Sequence, residues 1–175
     1  LNGDLLLMES RNSVRNITAH LLEKGCTLPG FMGDIGYAQS NRERYEGFCQ
    51  ALMDAGKTPN PSLCLTTPLG IDSYHEEIDS FLSSLSRMPD AFVCASDYVA
   101  CILMQLLEKR GLRVPEDVAV SGFDNNIEDL LAENLTTVQV FNEELGSRLA
   151  LQILYRIKYP HTPHEVTYLE SKVLY

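Results

Sequence analysis

Four polar residues, Arg44, Ser96, Asp97 and Asp124, stand where a strand ends or a helix starts after one. Arg44 lies in the first turns of the helix expected after a strand at Phe31–Met32. Ser96 and Asp97 follow the apolar run Ala91–Ala95, and Asp124 follows Val118-Ala119-Val120-Ser121-Gly122-Phe123. In open α/β sheets ligands bind outside the carboxyl ends of the strands, so these positions can converge on one crevice. Two carboxylates and an arginine, with Phe31, Tyr37 or Phe123 nearby, suit a polyhydroxylated ligand. The charged groups bond hydroxyls in a charge-assisted way, and an aromatic ring covers an apolar face. Each residue also has a plainer reading. Ser96 and Asp97 can cap the helix that follows them. Asp124 can make an Asx turn that only reverses the chain. Arg44 can pair on the helix surface with Glu43 or Glu46.

The elements that must hold these residues follow from hydrophobic spacing. Leu5–Met8 reads as the end of a strand, and a helix capped by Asn12 or Ser13 runs to about Lys24, where Gly25 stops it. A helix from about Ser40 to Ala55 carries Tyr45, Phe48, Cys49, Leu52 and Met53 at helical spacing. Ser62–Thr66 reads as a strand, and Asp72 opens a helix with Tyr74, Ile78, Phe81, Leu82 and Leu85 inward. The strand Ala91–Ala95 leads into an apolar helix, Val99 to Leu107. Pro115 ends whatever helix precedes it, and Val118–Val120 suits a strand buried on both faces. Gly122 allows a close approach or an unusual φ. Strand–helix units in succession predict an α/β fold with a doubly wound parallel sheet flanked by helices. Beyond Asp124 the alternation changes. A short helix is expected over Ile127–Ala132, an extended stretch over Leu135–Val140, and a helix over Glu143–Lys158 capped by Asn142. Terminal strands are expected at Val166–Leu169 and Lys172–Tyr175.

Composition narrows the function. Across 175 residues, 24 Asp+Glu stand against 14 Lys+Arg, a net charge of −10. DNA binding relies on Lys and Arg neutralising phosphates, so these residues are not expected to touch nucleic acid themselves. No apolar run approaches the ~18 residues of a membrane span. The five cysteines form no CxxC pair and read as free, buried thiols suited to a reducing cytoplasm. The four histidines lack metal-ligand spacing, and there is no G-x-S-x-G, P-loop or dinucleotide fingerprint. No metal, cofactor or catalysis is expected.

Four motifs, in this order, resemble one family. Arg44-Tyr45-Glu46-Gly47-Phe48-Cys49-Gln50-Ala51-Leu52 resembles R-x-x-G-F-x-x-A-L. Ala91–Ala100 resembles D-A-I-F-x-x-N-D-x-x-A, and Val114–Asn125 resembles V-P-x-D-v-x-V-x-G-F-D-[DN]. Leu135-Thr136-Thr137-Val138, followed by Gly146 and Ala150, resembles L-T-T-V and then G-x-x-A. The chain is thus similar to the LacI/GalR family of bacterial transcription regulators from about residue 5 to its end. The resemblance implies a periplasmic-binding-protein-like sensor of two α/β subdomains with a small effector, often a sugar or nucleobase, between them. It divides the chain into 1–134 (C-terminal subdomain), 135–160 (crossover and a helix of the N-terminal subdomain) and 161–175 (strands returning to the C-terminal subdomain).

It further implies a cytoplasmic homodimer that meets operator DNA through a helix-turn-helix absent from this chain, without membrane or cofactor. The effector-binding residues implied are Arg44, Ser96, Asp97, Phe123, Asp124 and Val140. Ser96 departs from the family, which has Asn there. A hydroxyl has a shorter reach and one donor where a carboxamide has two, so the pattern of ligand bonds changes. A periplasmic sugar-binding protein feeding a transporter would share the fold, and fold alone does not separate the two. A third reading, an α/β enzyme with Asp97 and Asp124 as an acid–base pair, is the least supported.

Overall fold

The structure, a computed structural model, describes residues 3–70, 72–126 and 135–175. In chain order its elements are β1 (Leu5–Met8), α1 (Arg11–Glu23), β2 (Pro29–Met32), α2 (Gln39–Asp54), β3 (Cys64–Leu65), α3 (Tyr74–Ser84), β4 (Ala91–Cys94), α4 (Asp97–Lys109) and β5 (Ala119–Ser121). They continue with β6 (Thr137–Gln139), α5 (Asn142–Lys158), β7 (Val166–Leu169) and β8 (Lys172–Leu174).

Ala91-Phe92-Val93-Cys94 is apolar throughout and wholly buried, which suits the interior of a parallel sheet covered on both faces. β4 accordingly lies between β2 and β5, with β3 outside β2, in the order β3-β2-β4-β5 with every pairing parallel. Side chains alternate between the faces. Phe31, Val93 and Ala95 join Val14, Ile17, Phe48 and Leu52 under α1 and α2. Met32, Phe92, Cys94 and Val120 join Ile78, Leu82, Leu103 and Leu107 under α3 and α4. α2 crosses α1 at Gly47, where an added Cβ would lie 2.2 Å from the Arg11 carbonyl oxygen. The expected doubly wound parallel sheet is therefore present.

Several boundaries differ from the sequence reading. Ser62 and Leu63 belong to a 3₁₀ turn over Pro61–Leu63, whose start is held by Asn60 accepting from the Ser62 amide, so β3 is only two residues long. Glu9 accepts from the Asn12 and Ser13 amides at the start of α1, a role expected of Asn12 or Ser13 themselves. α3 starts at Tyr74 rather than Asp72. Asn142 is the first residue of α5, and Phe141 precedes it. The short helix expected over 127–132 lies outside the described residues. All five cysteines are free thiols, and burial beside the Asp90 carboxylate pushes Cys26 up to about 12.

The largest difference concerns β1. Expected within 1–134 alongside the other strand–helix units, it instead pairs with β7 in a separate two-stranded parallel sheet, on which α5 packs. β8 pairs antiparallel with β6 in a third sheet. Asp4 ties the β1–β7–α5 group together. Its carboxylate accepts from Gln152 Nε2 at 2.8 Å, Arg156 Nε at 3.0 Å and the Glu165 amide at 3.0 Å, and it also pairs with Arg156 Nη2. These bonds, Arg156 first, hold the Asp4 carboxyl well below the usual carboxylate range. A depressed carboxyl stabilises the fold above its unfolded value, near 3.8, and that contribution is lost as pH falls through the lower folded value. Asp4→Asn should therefore speed amide hydrogen exchange across α5 and leave β4 and α4 protected. Equal protection in the two proteins would show that apolar contact alone docks α5.

Candidate functional site

β4 pairs with β2 through Met32 and Cys94, and with β5 through Val93 and Ser121, so the three chain exits at the carboxyl edge are neighbours. Into this edge α2 delivers Arg44, which is only 8% exposed. Its Nη1 donates to the Ala95 carbonyl. Its Nη2 reaches Asp124 Oδ1 at 3.4 Å. The guanidinium carbon lies 3.6 Å from the centroid of Phe123, a cation–π arrangement. Arg44 Nε is buried and has no partner among the described residues. Burial pushes the guanidinium pKa down, and the negative charge of Asp124 opposes that. The surface pairing open to Arg44 on its own helix is not used, since Glu46 pairs with Arg11 and Glu43 accepts from Gln39.

Asp124 is partly exposed at the edge. Burial raises its carboxyl pKa, Arg44 opposes that, and Asp97 adds to the rise. Its φ of 111° lies in a region that non-glycine residues rarely adopt, and Asn125 follows at 48°. The unusual φ allowed for at Gly122 thus falls on the two residues after Phe123. Gly122 serves the close approach instead, since a Cβ there would lie 2.1 Å from Asp97 Oδ1 and 3.1 Å from Leu135 Cδ2.

Asp97 faces away from the open edge. It is 2% exposed, its Oδ1 accepts from Thr137 Oγ1 at 2.5 Å, and its Oδ2 accepts from the Asn126 amide at 3.3 Å. Its own amide donates to the Phe123 carbonyl at 2.8 Å. Of the two residues expected to cap α4, Ser96 does so, its Oγ accepting from the Val99 amide at 3.3 Å. Val140 is half-buried against the cluster that holds Phe123 and Val138, and its carbonyl accepts from Gln139 Nε2 at 3.0 Å. The structure therefore gathers Arg44, Phe123 and Asp124 at one point. It sets Asp97 behind them, Ser96 at the helix start and Val140 in the crossover.

Two polar residues at this edge were not singled out from the sequence. Gln139 accepts from Asn125 Nδ2, and it bridges to Asp124 in parallel register. The signal was present in the alternation of β6, which puts Gln139 on the face of Thr137, the residue that reaches Asp97.

Residues 18–174 match the family of periplasmic binding protein-like domains. The chain belongs to that family. It is 32% identical to the HTH-type transcriptional regulator DegA of Bacillus subtilis, over 82% of this chain and 42% of that protein. It is 29% identical to the HTH-type transcriptional repressor PurR of Aliivibrio salmonicida, over 90% of this chain and 47% of that protein. Among solved structures it superposes on a transcriptional regulator CelR–cellobiose complex with a TM-score of 0.86 and 25% identity, covering 99% of this chain and 53% of that one. The chain thus spans about half the length of the curated relatives it matches.

Asp97→Ala would leave the buried Thr137 hydroxyl and the Asn126 amide without an acceptor and should cost about 1–3 kcal/mol in urea unfolding. Because burial raises the Asp97 carboxyl, its contribution is fullest below 3.8 and falls as pH rises through its higher folded value. Asp97→Asn keeps an acceptor without the charge, so its stability should vary less with pH. An Asp97→Ala protein as stable as the wild type would remove Asp97 as a tie between α4 and the crossover.

Proposed function

We propose that this chain senses a small polyhydroxylated effector, a sugar or a close relative, for a LacI-type transcription regulator. The observation that carries the reading is Arg44, held over the Phe123 ring beside Asp124 with a buried Nε that has no partner among the described residues. A buried, unpaired donor is costly, and a hydroxyl oxygen placed there would satisfy it. Asp124 offers an acceptor to the same ligand, and the charge of Arg44 is already balanced, which favours an uncharged effector. Phe123, Ser96 and Val140 are the proposed neighbours of this pair, and Asp97 contributes by holding Phe123 in place.

The effector would sit between this edge and a second subdomain, to which β1, α5 and β7 belong. Binding would favour one relative orientation of the two, a population shift that requires tighter binding to that orientation. Operator DNA would be met elsewhere in the complete polypeptide, consistent with the net charge of −10 here. α5 presents Leu149, Leu151, Ile153, Leu154 and Ile157 at its surface, which suits cover by the rest of the chain and by a second copy in a homodimer. The site would bind without catalysis, in the cytoplasm. The alternative, a periplasmic sugar-binding protein, is disfavoured by five free thiols, which suit a reducing compartment.

Calorimetry and thermal unfolding of the complete polypeptide with neutral sugars, sugar phosphates and nucleobases test this reading. A ligand at 100 times its dissociation constant should add about 2.7 kcal/mol of stability. Asp124→Asn, whose side chain tolerates the positive φ, should weaken binding roughly tenfold or more by removing a charge-assisted bond. A ligand bound equally well by Asp124→Asn would place the effector elsewhere.

A further inference from the structure

Three tyrosines stand on the same carboxyl edge, outside the Arg44–Asp124 pair. Tyr37 lies in the loop after β2 and is 81% exposed. Tyr98 is the second residue of α4, after β4, and is 55% exposed. Tyr74 opens α3, after β3, and its ring meets that of Tyr98 edge to face, at 5.5 Å between centroids and 88° between planes. β3, β2 and β4 are successive neighbours in the sheet, so these are three adjacent chain exits. The group is joined to the Arg44 cluster through Asp97, whose amide bonds the Phe123 carbonyl one residue before Tyr98.

Large aromatic rings at this exposure give up hydrophobic stabilisation unless a ligand covers them. The chemistry around them narrows what that ligand is. Asp34 accepts from the Gly36 and Tyr37 amides through Oδ1, and its other oxygen takes no bond from the described residues. After burial itself, Asp34, Tyr37, Tyr98 and Glu77 all push the Tyr74 hydroxyl up, so the charged neighbours it feels are acidic. A phosphate or carboxylate placed beside Tyr74 would meet negative charge. A sugar ring fits: its C–H face lies on an aromatic ring, and its hydroxyls donate to a carboxylate and exchange bonds with phenol groups.

We propose that Tyr37, Tyr74 and Tyr98, with Asp34 at their border, form a second saccharide subsite beside Arg44 and Asp124, so that the effector is an uncharged disaccharide or longer. This rests on the reading of the Arg44–Asp124 pair as a sugar site. The test is calorimetry on the complete polypeptide with ribose, glucose and galactose against maltose, cellobiose, lactose and maltotriose. Wild type, Tyr98→Ala, Tyr98→Phe and Asp124→Asn are compared, each checked for cooperative unfolding. The expected result is a disaccharide bound at least roughly tenfold more tightly than its component sugars, an advantage that Tyr98→Ala largely removes and Tyr98→Phe retains. A monosaccharide bound as tightly as every longer sugar overturns the subsite and leaves the Arg44–Asp124 reading standing. So does a Tyr98→Ala loss equal for short and long sugars, which would be the mark of a structural or protein-facing role. Failure of every sugar to bind overturns both, and sugar binding indifferent to Asp124→Asn overturns the Arg44–Asp124 reading and with it the subsite placed beside that pair.

Discussion

The carboxylate of Asp97, buried at the start of α4, is the tie on which the edge of the sheet depends. Burying a carboxylate is costly unless its oxygens are bonded, and here the partners come from two different segments. Thr137 belongs to the crossover strand β6, and Asn126 to the loop after β5. The amide of the same residue holds the Phe123 carbonyl, so one residue fixes β5, its exit loop and the crossover against α4. Gly122 makes the arrangement possible by leaving free the volume that Asp97 Oδ1 needs. With Phe123 fixed, Arg44 has an apolar support, and its guanidinium can remain buried with Ala95 and Asp124 as polar partners.

The same tie explains how Asp124 stays at φ 111°, a conformation that costs on the order of 1–3 kcal/mol and persists only where its surroundings over-determine it. Its amide donates to the Val138 carbonyl at 3.1 Å, its carboxylate faces Arg44, and Gln139 bridges to its backbone. Both Val138 and Gln139 lie in β6, which leads directly into α5. Asp124 and the segment that enters α5 are therefore bonded to each other. A ligand that alters the Arg44–Asp124 pairing acts on that connection without any intermediate chain of contacts.

Much of this was legible in the sequence, for physical reasons that also mark where legibility ended. The tetrapeptide Ala91–Cys94 and the run around Val118–Ser121 are apolar enough to read as buried parallel strands, and α4 is apolar on most sides. Arg44, Phe123 and Asp124 were placed together because each follows a strand of the same sheet. The direction of Asp97 was not legible, since its acceptor role depends on Thr137, brought to it only by the crossover. Nor was the pairing of β1 with β7. A parallel pair formed between opposite ends of the chain leaves no local pattern, and Leu5–Met8 reads the same whichever sheet receives it. Of the tyrosine group only Tyr37 was legible as a ligand neighbour, because Tyr74 and Tyr98 lie at the starts of two separate helices and only the strand order brings the three chain exits side by side.

α5 shows what sets the orientation of a helix when apolar burial does not. None of its residues is buried, although Leu149, Leu151, Ile153, Leu154 and Ile157 are among them. Ordinarily a helix turns its apolar stripe to the core and its charges to water. Here Gln152 and Arg156, one turn apart, both reach Asp4, and Arg156 Nη1 also donates to the Thr162 carbonyl and hydroxyl. That polar face is therefore turned toward β1 and the loop before β7, which leaves the apolar residues outward. An orientation fixed by charge-assisted bonds at one face leaves the hydrophobic face of the helix in water, at a cost in hydrophobic stabilisation that those bonds must offset.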